Sequence, residues 1–368
     1  MPMHALGGTY VEGNYLQNKY EWKDTTGSWE ERPGHFNDIW NYWSDDGIGY
    51  LEYLQDALDG IEFARGSPRS RWGSVRAAMG HPKPFDLKYV AVGNEDCGLF
   101  NYEGNYLKFH DAIRYAYPDI KIISNCDAST KPLNQPADLF DFHIYTNSND
   151  MFSKSTQFDH TSRSGPKAFV SEYAVWREDA GNGSLLAAVA EAAFLIGLEK
   201  NSDAVEMVCY APLFSNINDR RWVPDAIVFN SYQLYGTPSY WVQKLFIESS
   251  GATFLDSTLN TNSSNKLIAS AIIWQNSTEK KNYLRVKVVN FGTTSETLII
   301  SINGLNSTLQ QNYGIRGTVL TSTNVMDENS FSEPQKVVLQ TNSPVKVGTS
   351  MDVILDPYLV ISLDLLIS

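Results

Sequence analysis

The sequence predicts an α/β plus all-β chain: an incomplete (β/α)8 TIM barrel over residues 1–248, followed by a C-terminal antiparallel β-sandwich over residues 249–368. Three observations predict it. Short apolar runs near residues 89–94, 120–125, 140–145, 168–174 and 205–211 alternate with helical segments, as parallel strands covered on both faces do. After Ser249-Ser-Gly-Ala the pattern turns to apolar–polar alternation broken by Asn, Gly and Ser, the mark of antiparallel strands. A full barrel takes roughly 250 residues and eight strands. Residues 1–248 have that length but give only five convincing strands, and the deficit lies on the N-terminal side.

Taken in order, residues 9–55 are aromatic and polar, with Trp22, Trp29, Trp40 and Trp43 around the turn sequence Glu31-Arg-Pro-Gly-His35. From Ile39 to about Gly66 the apolar spacing of Ile48, Leu51, Leu54, Leu58 and Ile61 predicts a helical pattern, and Asp45-Asp46 are expected to cap the helix that follows them. Tyr89-Val-Ala-Val runs into Gly93 and turns polar at once, placing Asn94 and Glu95 side by side at the exit of a strand. Ala168-Phe-Val-Ser-Glu-Tyr-Ala174 has the same shape, with Glu172 at its exit. Ser184 is the expected N-cap of a long helix ending at Lys200. Sandwich strands are expected at 267–275, 283–290, 297–302, 317–320, 336–340 and 352–366.

Composition narrows the function. The formal net charge of −13 argues against a nucleic-acid partner, because phosphate binding needs a basic face. It suits a neutral substrate such as a sugar, and 20 Tyr and 9 Trp provide the flat apolar surfaces on which sugar rings stack. No run is long enough to span a membrane. Cys97, Cys126 and Cys209 are too few and too scattered for a disulfide framework or a structural zinc site, so all three are expected to be buried small hydrophobes. No metal or other cofactor is expected. The N-terminus lacks the basic start and apolar stretch of a signal peptide, yet sequons at Asn182, Asn262, Asn276 and Asn306 favour a secreted ancestry.

The C-terminal ends of strands in α/β sheets face the ligand. Two carboxylates at two such ends, Glu95 and Glu172, are the minimum equipment of a retaining glycosidase, whose pair stands about 5–5.5 Å apart. His143 is expected as a packed barrel histidine that can also line the site, and Glu12 either reaches the cleft or makes a surface salt bridge.

Gly93-Asn-Glu95-Asp-Cys-Gly98 and Val170-Ser-Glu172-Tyr-Ala174 resemble the plant α-L-arabinofuranosidases of glycoside hydrolase family 51. The resemblance extends to Gly7-Gly-Thr-Tyr-Val-Glu-Gly13, Trp29-Glu-Glu-Arg-Pro-Gly-His-Phe36, Asp45-Asp-Gly-Ile-Gly49, Trp72-Gly-Ser-Val-Arg-Ala-Ala-Met-Gly-His81 and Trp222-Val-Pro-Asp-Ala-Ile-Val-Phe-Asn230. It implies Glu95 as general acid/base and Glu172 as nucleophile. Asn94 is then expected to bond the sugar 2-hydroxyl, Tyr145 in His143-Ile-Tyr145 to position the nucleophile, and Trp222 and Asp225 to line the sugar pocket. The implied substrate is an arabinose-containing polysaccharide or oligosaccharide, and the implied location the extracellular matrix or apoplast.

This sequence departs from the family pattern in two places. It begins within the second strand, and it joins Leu51-Glu-Tyr-Leu-Gln55 directly to Asp56-Ala-Leu-Asp-Gly60 where family members carry a further segment with the third strand. Strands one and three are therefore expected to be absent and strand two damaged, as from an exon-skipped or truncated gene. Three readings stay open: an arabinofuranosidase releasing terminal α-L-arabinofuranosyl residues from arabinan or arabinoxylan, a catalytically impaired relic, and a noncatalytic sugar-binding protein.

Overall fold

The computed structural model describes residues 28–37, 42–44, 50–99, 102–220, 222–261, 266–304, 316–342 and 350–367. Glu12, Asp45, Asp46, Asn262 and Asn306 lie outside the described residues. Two compact units divide the chain, 1–142 with 163–169 and 143–162 with 170–368. Strands and helices of residues 143–162 and from 170 onward group with the sandwich strands.

In the first unit, β1 (His35–Asn37) and β2 (Tyr42–Ser44) form an antiparallel pair with Phe36 opposite Trp43. The helix expected from Ile39 therefore begins later, as α1 (Tyr50–Arg65). Aromatic residues that suit a pleated surface occupy the stretch before it. The α1 helix runs unbroken through the Gln55–Asp56 junction, and Gln55 Nε2 donates to Asp59 Oδ1 at 2.8 Å across it. Ser70 caps α2 (Arg71–Ala78), its side chain accepting from the Gly73 amide. Arg76, only 1% exposed, donates to the carbonyls of Phe63, Ala64, Gly66, His81 and Pro82 and so ties the two helices together. A buried guanidinium needs such a full set of acceptors.

The parallel sheet starts with β3 (Tyr89–Val92), β4 (Lys121–Ser124) and the first half of β5 (Leu139–Thr146), in register Val92–Ser124 and Ser124–Phe140. The crossover helix α3 (Tyr102–Ala116) buries Tyr102, Asn105, Tyr106, Phe109 and Ile113, the three- and four-residue spacing of one helical face. These pack with Ile61, Val92, Ile120 and Ile122 into the core of this unit.

In the second unit the end of β5 is followed by α4 (Ser148–Ser153), then β6 (Lys167–Val175) and β7 (Val205–Val208). The Cys209 amide bonds the Val170 carbonyl and the Ala211 amide that of Tyr173, so both chains advance the same way, as parallel pairing requires. All five expected parallel strands are present. The long helix α5 (Leu185–Lys200) is buried on nearly its whole circumference, and Ser184 caps it by accepting from the Ala187 amide. Small residues on α5 allow close approach; a Cβ on Gly197 would sit 2.0 Å from the Ser155 carbonyl oxygen. Three short strands, β8 (Phe214–Asn216), β9 (Ile227–Phe229) and β10 (Leu234–Gly236), make a separate small sheet before α6 (Pro238–Leu245).

The expected sandwich is antiparallel. Its larger sheet has the order β11 (Thr253–Leu255), β12 (Leu267–Gln275), β13 (Asn282–Asn290), β18 (Leu359–Leu366), β15 (Arg316–Leu320) and β16 (Gln340–Asn342). Facing it are β14 (Glu296–Ser301) and β17 (Ser350–Leu355). Met351, Val353 and Leu355 alternate inward from β17 onto Val288, Leu359, Ile361 and Leu363. The run expected as 352–366 is two strands, parted at Tyr358, where φ is +50°.

The α5 helix explains why the sandwich groups with residues from 170 onward. Its Glu199 carboxylate takes the buried Lys287 ammonium from β13 together with the hydroxyls of Ser249 and Ser270. Burial pulls the Lys287 pKa below the ordinary lysine value in spite of the Glu199 charge beside it.

Candidate active site

Within the first unit, the loop after β3 carries Asn94 and Glu95. Gly93 turns the chain at φ +96°, and a Cβ there would sit 2.6 Å from the Tyr102 ring and 2.7 Å from Asp96 Oδ1, so only glycine fits. Asn94 is half-buried, and Glu95 is exposed at φ +56°, a left-handed conformation uncommon for a side-chain-bearing residue. The buried Asp96 accepts from the Asn94 amide at 2.8 Å. From the end of β4, Asn125 Oδ1 accepts from the amides of Asp96 (2.8 Å) and Cys97 (3.2 Å). Beneath the loop, Tyr102 donates its hydroxyl to the Val92 carbonyl at 2.9 Å and accepts from the Asn125 amide at 2.7 Å.

The cysteine expectation is corrected here. Cys97 and Cys126 form a disulfide, and Cys97 and Cys209 are exposed rather than buried. The sequence held a signal that went unread. Both paired cysteines follow the C-terminal ends of adjacent parallel strands, which brings their loops together whatever their separation along the chain.

Within the second unit lie the ends of β5 and β6. Tyr145 donates its hydroxyl to Glu172 Oε2 at 2.7 Å, and His143 Nδ1 stands 3.6 Å from the same oxygen. Glu172 keeps 29% of its side chain exposed, so one part meets these partners and another meets solvent. The Trp176 ring lies 6.2 Å from that of Tyr145, and Arg177 sits over Trp176 at 4.3 Å. Behind the strand, Glu191 from α5 accepts the Val175 amide at 2.9 Å; burial pushes its pKa up to about 8.

The loop expected to line the sugar pocket is built around Arg220, which sequence reasoning missed. Its Nε donates to the Trp222 carbonyl (3.2 Å) and to Asp225 Oδ2 (3.1 Å). Trp222 is 66% exposed, whereas Asp225 is 1% exposed, its carboxylate held by Arg220 inside the loop. Burial raises the Asp225 pKa above the usual carboxylate value against the pull of Arg220. Arg220 was legible only as one cation among several; its pairing across five residues is a product of the turn.

The family profile described as the α-L-arabinofuranosidase C-terminal domain matches residues 171–358, and the profile of the α-L-arabinofuranosidase 1 domain matches residues 3–55 and 52–163. The chain belongs to the α-L-arabinofuranosidases of glycoside hydrolase family 51. Within that family, α-L-arabinofuranosidase 1 of Arabidopsis thaliana is 57% identical over 393 residues, covering 98% of this chain and 58% of the relative. α-L-Arabinofuranosidase A of Aspergillus niger is 31% identical over 345 residues, covering 82% of this chain and 53% of the relative. Among solved structures, the arabinose-bound α-L-arabinofuranosidase MgGH51 superposes with a TM-score of 0.73 at 28% identity, over 97% of this chain and 63% of that one. The α-L-arabinofuranosidase of Thermotoga maritima, in an arabinose complex, shares the fold with a TM-score of 0.69 at 18% identity, over 96% of this chain and 86% of that one. The chain thus spans 58% of the length of its Arabidopsis relative, and the two pieces of the profile match overlap at residues 52–55, within α1.

Proposed function

We propose that this chain carries the catalytic residues of a retaining α-L-arabinofuranosidase, with Glu172 as nucleophile and Glu95 as general acid/base. The supporting observation is the 2.7 Å hydrogen bond from Tyr145 to Glu172 Oε2, which fixes one carboxylate oxygen and leaves the other to attack. Glu172 forms a bond to the anomeric carbon as the glycosidic C–O bond breaks, and the Glu95 proton passes to the departing oxygen. Water then attacks the glycosyl-enzyme, giving a proton to Glu95 and releasing the Glu172 carboxylate. Asn94, fixed beside Glu95 by the backbone bond to Asp96, is assigned to the sugar 2-hydroxyl. Trp222 is assigned to the wall of the sugar pocket, and Asp225 to holding its loop through Arg220.

The substrate class that suits this reading is a neutral arabinose-containing cell-wall polysaccharide or oligosaccharide, met in the apoplast. A net charge of −13 and a disulfide suit a secreted protein acting on a neutral glycan.

Turnover of 4-nitrophenyl α-L-arabinofuranoside tests the reading. Activity that disappears in Glu172→Gln and in Glu95→Gln supports it, with the first-formed arabinose keeping the anomeric configuration of the substrate. Sugar binding without hydrolysis would instead favour a lectin-like protein, and the lack of a cooperative melt would favour a relic.

A further inference from the structure

We propose that the Cys97–Cys126 disulfide and the Asn125 carboxamide are positioning devices for the Glu95 carboxyl group, so that its proton delivery depends on both. The inference rests on the reading of Glu95 as general acid/base.

Glu95 lies two residues from Cys97 on a loop whose outer positions are exposed: Glu95, Cys97, Gly98 and Leu99 all face solvent. Little apolar packing fixes such a loop, and the left-handed backbone at Glu95 is not one that an unrestrained glutamate keeps. Links to its neighbour overdetermine it. Asn125 Oδ1 holds two successive amides, those of Asp96 and Cys97. The disulfide then joins Cys97 to Cys126, the residue after Asn125, closing a separation of 29 residues at a Cα–Cα distance of 5.1 Å. Asn125 itself is seated by its own amide on the buried Tyr102 hydroxyl, which also holds the last carbonyl of β3. Both ends of the β3 loop are therefore referred to β4: one through Tyr102 to the strand, the other through Asn125 and the disulfide to the residues just beyond it. Glu95 sits between these two attachments.

A general acid matters in proportion to how much the leaving group needs its proton. An arabinobioside leaves as an alkoxide unless protonated, whereas dinitrophenolate departs unaided. The test is kcat/KM for both substrates in the wild type, in Cys97→Ser/Cys126→Ser and in Asn125→Ala, with melting followed in each. The expected result is a loss on the arabinobioside at least roughly tenfold larger than on the dinitrophenyl arabinofuranoside, part of the 10²–10⁴ that a positioned acid supplies. Azide should also speed turnover of the dinitrophenyl substrate in the variants. Where the double cysteine variant does not fold, reduction of the folded wild type by a phosphine at the exposed Cys97, and reoxidation, reads the same split. Equal losses on both substrates overturn the inference and leave the disulfide a structural staple. A wild type inert towards both substrates removes the acid/base reading and the inference with it.

Discussion

The hydroxyl of Tyr145 points its hydrogen at Oε2 of Glu172 across 2.7 Å, linking the ends of β5 and β6 through the group proposed to attack the sugar. A donor held on a carboxylate fixes its direction of approach and stabilises its charge. Tyr145→Phe is expected to lower kcat by roughly 10², the cost of losing one preorganised donor at a reacting oxygen. Stability should change by only about 1 kcal/mol, the net worth of one hydrogen bond. Steady-state kinetics with a melting curve check both, and an unchanged kcat would remove Tyr145 from the machinery. His143 Nδ1, at 3.6 Å, is beyond good hydrogen-bonding distance, so its replacement by Gln should cost less than the loss of the Tyr145 hydroxyl.

Glu191 makes stability depend on pH. Its carboxyl is buried behind β6 with its pKa raised from 4.5 to about 8. Between those values the unfolded chain has released a proton that the folded chain still holds, so stability is greatest below about 4.5 and declines as pH rises through the window. The slope is at most about 1.4 kcal/mol per pH unit. Glu191→Gln keeps an acceptor for the Val175 amide and removes the titration. Its melting temperature should lose this pH dependence between pH 5 and 8, and thermal melts at intervals across that range would reveal a slope that persists.

Lys287 and Glu199 form an ion pair in which the lysine side chain has no solvent exposure and the glutamate 6%. Removing one partner leaves the other charge stranded. Lys287→Met is expected to destabilise by about 3–5 kcal/mol. Lys287→Met with Glu199→Gln, which retains an acceptor for the Ser249 and Ser270 hydroxyls, should recover most of that loss. Denaturant melts of the single and double variants decide it; simple addition of the two effects would contradict the coupling.

The exposed Trp222 is available to stack on a sugar face, and Arg220 holds its carbonyl. Trp222→Ala is expected to raise KM about fivefold, the factor that about 1 kcal/mol of aromatic contact supplies, with stability unchanged. Arg220→Ala should raise KM similarly but also lower the melting temperature, because it strips the buried Asp225 of its partner. A Trp222→Ala enzyme with wild-type KM would place the sugar elsewhere.

The sequence was most readable where a single pattern persisted over several residues. The apolar runs ending at Gly93 and after Glu172, the cap at Ser184 and the alternation in β12 and β13 all lie where they were expected. Three-residue strands such as β2 and β9 are too short to show a period, and Tyr42-Trp43-Ser44 was absorbed into a helix that begins only at Tyr50. The break at Tyr358 was hidden because a tyrosine gives no sign of a left-handed backbone. Of the candidate site, Glu95 and Glu172 were singled out by their positions at strand ends, and Tyr145 by the family resemblance. Asn125, Arg220, Glu191 and the disulfide were not, since each takes its meaning from a partner that the fold brings near.

The helix α1 gives the Gln55–Asp56 junction a physical meaning. Gln55 and Asp59 are neighbours one turn apart, joined side chain to side chain, while Ala57, Leu58 and Ile61 further along pack into the core of their unit. Helical phase is continuous across Gln55 and Asp56, so the two flanks form one rod. An insertion at this point that carried a strand, as the family resemblance implies, would break that rod in two or start it later, and Gln55 and Asp59 would then belong to different elements.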